Sequence, residues 1–162
     1  PLKAKEWAMG IKSNMARKPR GIDKDSLRAI ASGIGDVAIV NTYYIGQMMK
    51  GRSFSDRATS EMIGVFFPNQ DGRGAHINVS GAGVTASSKN KKEAIQFLEF
   101  LTSKNSQEVF AKENYEYPLK VRKNKSKLLK SWGKFKYDQL QLSILGDNNT
   151  DAVKIFDKAG WE

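Results

Sequence analysis

The 162-residue chain has no cysteine and a single histidine, His76. Without cysteine there is no disulfide framework, no thiolate-held zinc or iron–sulfur cluster and no thiol nucleophile. With one histidine, a multi-histidine metal site within the chain is excluded as well. No apolar run approaches the ~20 residues needed to cross a bilayer, so no membrane insertion is expected. Neither a signal-peptide pattern nor a methionine opens the chain, which begins at Pro1. We therefore expect a processed product or a fragment, and its start says nothing about compartment. No Ser/His/Asp order, phosphate loop or paired acid–base carboxylate stands out, so no enzymatic activity is expected.

What the chain does have is positive charge. Lys and Arg number 27 against 17 Asp and Glu, a formal net charge of +10. Such an excess admits nucleic acid or an anionic surface as partner. Its distribution argues otherwise. Residues 1–77 hold 12 basic against 7 acidic residues, residues 78–125 hold 9 against 5, and residues 126–162 hold 6 against 5. The densest run, Lys120 to Lys136, is lysine-rich with Trp132 and Phe135 interspersed, a pattern suited to a solvated surface with buried anchors. No nucleic-acid partner is expected.

Hydrophobic residues make up 40% of the chain, enough for a packed core. The pattern alternates between helix and strand. Trp7, Ile11 and Met15 share a face and predict a helix over 2–16, closed by Pro19. Asp25 is placed to cap a second helix running to Ser32, with Gly33 at its end. Asp36 to Val40 is a short apolar run that predicts a strand buried on both faces. Asn41 follows as an N-cap to a helix reaching Lys50. Further strands are expected at Ile63–Phe67, His76–Val79 and Val84–Ala86. Helices are expected after Asn90, from Asn105 to about Lys112, and over Thr150–Ala159.

Asn41, Thr42, Tyr43 and Tyr44 stand directly after the run 36–40. Ligands in open α/β sheets bind at the carboxyl ends of strands. Two phenols at a helix start meet unpaired N–H groups and the positive end of the dipole, which would favour phenolate. Phenolates are hard oxygen donors suited to a hard cation such as ferric iron. Two aromatic core residues would satisfy the same spacing. Lone His76 suits a hydrogen-bonded structural role, and Arg17, Arg20 and Asp23 suit an anion or a surface ion pair.

Several stretches together resemble one family. They are Gly33-Ile-Gly-Asp-Val-Ala-Ile-Val-Asn-Thr-Tyr-Tyr44, Gly74-Ala-His-Ile-Asn-Val-Ser-Gly-Ala-Gly83 and Ser88 to Leu101. Tyr115-Glu-Tyr-Pro118 and Asp151 to Trp161 complete the set. In order and spacing the chain is similar to the C-terminal half of the ferric iron-binding proteins that serve ABC-type importers. The resemblance implies an α/β fold of the second periplasmic-binding-protein type, two lobes closing on ligand by hinge bending. It implies residues 1–77 in the C-terminal lobe, 78–125 crossing into the N-terminal lobe, and 126–162 returning. It carries over Tyr43 and Tyr44 as Fe(III) ligands. It places Asn41 near a synergistic anion or behind the ligands, with Arg17 or Arg20 neutralising charge near the cleft.

The implied partners are the N-terminal half of the same protein, with its further ligands, and the permease of an ABC importer. The implied location is periplasmic. Gln47 stands where many members carry arginine. Asp23 stands where phosphate-holding members carry asparagine, and an aspartate there would repel an anion. The alternatives are a binding protein of the same fold for another small solute or anion and, more remotely, a basic nucleic-acid-binding domain.

Overall fold

The computed structural model describes residues 2–119 and 124–161. Residues 120–123, inside the expected 78–125 crossing and at the head of the lysine-rich run, lie outside the described residues. The helices are α1 (Leu2–Ser13), α2 (Asp23–Ala31), α3 (Thr42–Lys50), α4 (Phe54–Glu61), α5 (Lys91–Leu101), α6 (Lys104–Val109), α7 (Lys127–Ser131), α8 (Ser143–Asp147) and α9 (Asn149–Lys158). A π-helical turn, Phe110–Asn114, continues α6 directly.

Local chemistry explains the helix ends. Ile22, rather than Asp25, is the cap of α2, and Asp25 reaches back to accept the Ile22 N–H at 2.9 Å. Gly33 closes the helix at φ 80°, a conformation without penalty only for glycine. Ser53 caps α4 by accepting the Asp56 N–H at 3.1 Å. Ser103 does the same for α6 through Ser106, so that helix begins slightly earlier than the Asn105 pattern suggests. The helices α4, α7 and α8 have no forerunner in the sequence reading. Each is short, five to eight residues, too brief for a hydrophobic period to declare itself.

The expected strands need correction. Among the described residues no β-ladder forms beyond an isolated parallel bridge between Ala75 and Tyr137. Asp36–Val40 was expected to be buried on both faces, yet Val37 and Ile39 are each 83% exposed while Ala38 and Val40 are half-buried. Ile63–Phe67 alternates in the same way, with Phe66 83% exposed. Period-two burial is what an extended chain produces. A strand is completed by a neighbour that takes its backbone hydrogen bonds, and the described residues supply none for these runs.

The packed centre is formed by Leu27 of α2 with Ile45 and Met48 of α3, flanked by Val40, Tyr44, Met49, Ile63, Val65 and Trp132. Thus α2, α3 and α4 pack on one another, and an ion pair from Arg28 to Asp56 at 2.8 Å ties α2 to α4. The chain ends meet where α1 packs on α9. A second junction joins the middle of the chain to residues 135–138. Ala75 N–H donates to the Lys136 carbonyl and Asp138 N–H to the Ala75 carbonyl, both at 2.9 Å. Phe67 stacks on Phe135 with centroids 4.0 Å apart, and Tyr117 meets Phe135 edge-on. Exposed His76 follows this bridge, beside the Arg73–Asp138 ion pair.

Candidate metal centre at the start of α3

The core sets the position of α3. Ile45 and Met48 are buried in it and Gly46 is buried beside Tyr115, which leaves the first turn, Thr42 to Tyr44, at the rim. The Tyr43 and Tyr44 rings lie with centroids 4.4 Å apart and planes tilted by 42°. Both are half-buried. On a regular helix adjacent side chains diverge by about 100°. Tyr43 and Tyr44 occupy the first turn, and there their rings still come together in spite of that divergence. Tyr44 also packs against the Leu27–Ile45–Met48 core, so one tyrosine of the pair is anchored there.

Asn41 holds the N-cap position with extended backbone, but its side chain does not cap the helix. Its backbone N–H and its Nδ2 both donate to Asp23 Oδ2, at 2.8 and 3.3 Å. Its Oδ1 accepts from Asn78 Nδ2 at 3.1 Å. The Asn41 donors are thus taken up by a carboxylate of this chain.

The tyrosine environment differs from the expected one. The Tyr43 phenol is pushed up to about 12, first by the adjoining Tyr44 hydroxyl, then by burial and by the nearby Tyr44, Asp23 and Glu116 charges. The pull of the helix N-terminus toward phenolate is outweighed. Without a cation Tyr43 is a neutral phenol, and only a strong Lewis acid would draw off its proton.

The two arginines of the first inter-helix loop stand apart from this centre. Arg17 is half-buried and turns its guanidinium to the carbonyls of Lys18 and Arg20, at 3.3 and 3.4 Å, with its charge felt at Asp25. Arg20 is exposed, and among the described residues no hydrogen bond or ion pair joins its side chain to the tyrosines. The sequence reading did not single out Asn78 or Glu116, which sit 37 and 72 positions beyond Asn41 and Tyr44. No local pattern links residues so far apart. Among the described residues no group of three or more His, Asp or Glu side chains converges as a metal site. A shallow groove of about 380 Å³ between α2 and α4 lies elsewhere, and its Arg28 is already paired with Asp25 and Asp56.

Comparison with known proteins places this geometry in context. Residues 3–138 match the profile of the bacterial extracellular solute-binding proteins. Iron uptake protein A1 of Synechocystis sp. is 43% identical over 156 residues, covering 96% of this chain and 43% of that protein. A ferric binding protein from Campylobacter jejuni superposes with a TM-score of 0.95 at 40% identity, over 100% of this chain and 51% of the other. Trichodesmium IdiA (FutA), solved in complex with iron and citrate, gives 0.92 at 41% identity over 99% and 51%. The chain spans about half the length of the relatives it matches. Its arrangement is that of one portion of a two-lobe binding protein, and the chain belongs to the bacterial extracellular solute-binding protein family.

Proposed function

We propose that this chain is the C-terminal portion of an extracytoplasmic ferric-iron-binding protein. It holds Fe(III) through the phenolate oxygens of Tyr43 and Tyr44 and hands it, on lobe closure, to the permease of an ABC-type importer. No bond is made or broken in the cargo beyond coordination, so the protein works as a carrier and not as an enzyme. The observation that carries the reading is the pairing of two half-buried tyrosines, ring centroids 4.4 Å apart, at the start of α3. Phenolate is the anionic donor that a hard trivalent cation selects.

Ferric iron takes about six donors in an oxygen-rich site by analogy with other hard cations. Two phenols leave positions for groups from the rest of a two-lobe protein, and the matched relatives are about twice this chain's length. We assign residues 1–77 and 126–162 to one lobe. In support, α1 packs on α9, Ala75 bridges Tyr137 and Phe67 stacks on Phe135. Residues 78–125 cross to the other lobe. A synergistic anion at Asn41 would have to displace Asp23 from both of its donors, so we expect none at that residue.

The test is ferric loading of the full-length protein. A visible phenolate-to-iron absorption band is expected, and Tyr43→Phe and Tyr44→Phe should each weaken iron binding by at least about a hundredfold, since each deletes an anionic ligand. No band in the wild type, with unchanged iron binding in both variants, would refute the assignment and favour a different solute.

A further inference from the structure

A ring of contacts closes around the first turn of α3. Asn41, at its N-cap, accepts from Asn78 at 3.1 Å. Two residues further on, Ser80 Oγ donates to Glu116 Oε2 at 3.2 Å. The other carboxylate oxygen of Glu116 accepts from Asn114 Nδ2. Next to Glu116, Tyr115 packs so closely on α3 that a Cβ built at Gly46 would lie 2.6 Å from the Tyr115 Cβ. Gly46 leads back along α3 to Asn41, and Tyr43 and Tyr44 occupy the arc between them.

The stretch that closes this ring is unusual in its backbone. Phe110–Asn114 is a π-helical turn, and Tyr115 follows at φ 60° in the left-handed region. Such conformations persist where surrounding contacts over-determine them, and they gather at functional sites. Here the Tyr115 N–H bonds the Phe110 carbonyl, and the Glu116 side chain adds to those contacts: it is half-buried, it joins residues 80 and 114, and its charge is felt at the Tyr43 phenol. The Ser80-Gly-Ala-Gly83 stretch has no side chain beyond Ser80 able to accept or donate, so the Ser80–Glu116 bond is its side-chain tether to this ring.

We propose that Glu116 is a positioning residue of the tyrosine pair, tying the 78–81 crossing and the strained Tyr115 turn to α3 so that both phenols face one point. The inference rests on the ferric reading above. It differs from that reading in its prediction, because Glu116 need not touch the cation.

The experiment uses the full-length protein loaded with ferric iron. Glu116→Ala should shift the phenolate-to-iron band and speed iron loss to a competing chelator by about tenfold, the factor that one charge-assisted hydrogen bond supplies. Glu116→Gln keeps an acceptor for Ser80 and should restore most of the wild-type band. Ser80→Ala alone should give a smaller acceleration, and added to Glu116→Ala it should have no further effect, as expected for two ends of one contact. A purely structural role would lower thermal stability without moving the band. A wild-type band left unmoved by Glu116→Ala overturns the positioning role while leaving the ferric site intact. Should Glu116→Ala fail to fold, a band and release rate in Ser80→Ala equal to wild type would overturn it equally. A wild type that shows no band at all would fail the ferric reading instead.

Discussion

Under the proposed ferric reading, Tyr43 must be two things in turn. In the metal-free protein its proton is held tightly, up to about 12; as a ligand it has to give that proton up. Protons and Fe(III) therefore compete for the same oxygen. Ferric affinity should fall by about tenfold for each unit of acidification per phenol ionised on binding, and by up to about a hundredfold if both ionise. Chelator competition across a pH series measures that slope, and a slope near zero would mean that no phenol is deprotonated. The same raised value bears on stability with a definite sign. A neutral phenol favoured in the folded state stabilises it fully below about pH 10, the ordinary tyrosine value, and that contribution disappears as pH rises through about 12. Tyr117 behaves alike for a simpler reason: burial alone raises it to about 12. Tyr115 is raised as well, by burial and the Glu113 charge, so alkaline titration of phenolate absorbance should show several late groups, of which Tyr117→Phe should remove one and leave Tyr43 in place.

At the scale of elements, α3 is held by its neighbours more than by its own sequence. Gly46→Ala would raise helix propensity by about 1 kcal/mol in an isolated helix. Here the added methyl meets the Tyr115 side chain, so the sign should reverse: thermal melting should show a less stable protein, with weakened iron binding. Ser53→Ala removes the cap of α4 and should cost about 1 kcal/mol, seen in denaturant unfolding without change in the ferric spectrum.

These two helices also mark the limits of what the sequence disclosed. The longer elements were legible because a hydrophobic period or a polar residue near the start announced them, as in α2, α3, α5 and α9, although Asp25 lies inside its helix and neither Asn41 nor Asn90 caps through its side chain. The phenol pair was legible because it directly followed an apolar run. Short α4 offered only a serine cap. The strands were legible as patterns, but a ladder belongs to two segments, and the second was not in view. The supports of the site, Asp23, Asn78 and Glu116, reach it from distant segments. Only the folded chain brings them together. Arg17, close in sequence to Asp23, turns its guanidinium to carbonyls of its own loop.

For the whole molecule, charge and unpaired backbone act together. The spread-out excess of +10 should leave duplex DNA binding no tighter than ordinary non-specific affinity, on the order of 10⁻⁶ M at physiological salt. A tighter, sequence-selective complex in a gel-shift assay would contradict this. The runs 36–40 and 63–67 present alternating apolar side chains to solvent, with Val37, Ile39 and Phe66 outermost. Their backbone has no ladder partner among the described residues. Such an edge is a template for another copy of itself, and enrichment in β-branched residues makes it a nucleus for fibrillar growth. Mutual repulsion between strongly positive chains opposes that encounter, and salt weakens the repulsion over about 8–10 Å at physiological strength. The 162-residue chain expressed by itself should therefore stay dispersed in dilute buffer and form thioflavin-positive aggregates as salt is raised. Ile39→Lys, by placing a charge at the centre of the exposed run, should lengthen the lag before they appear.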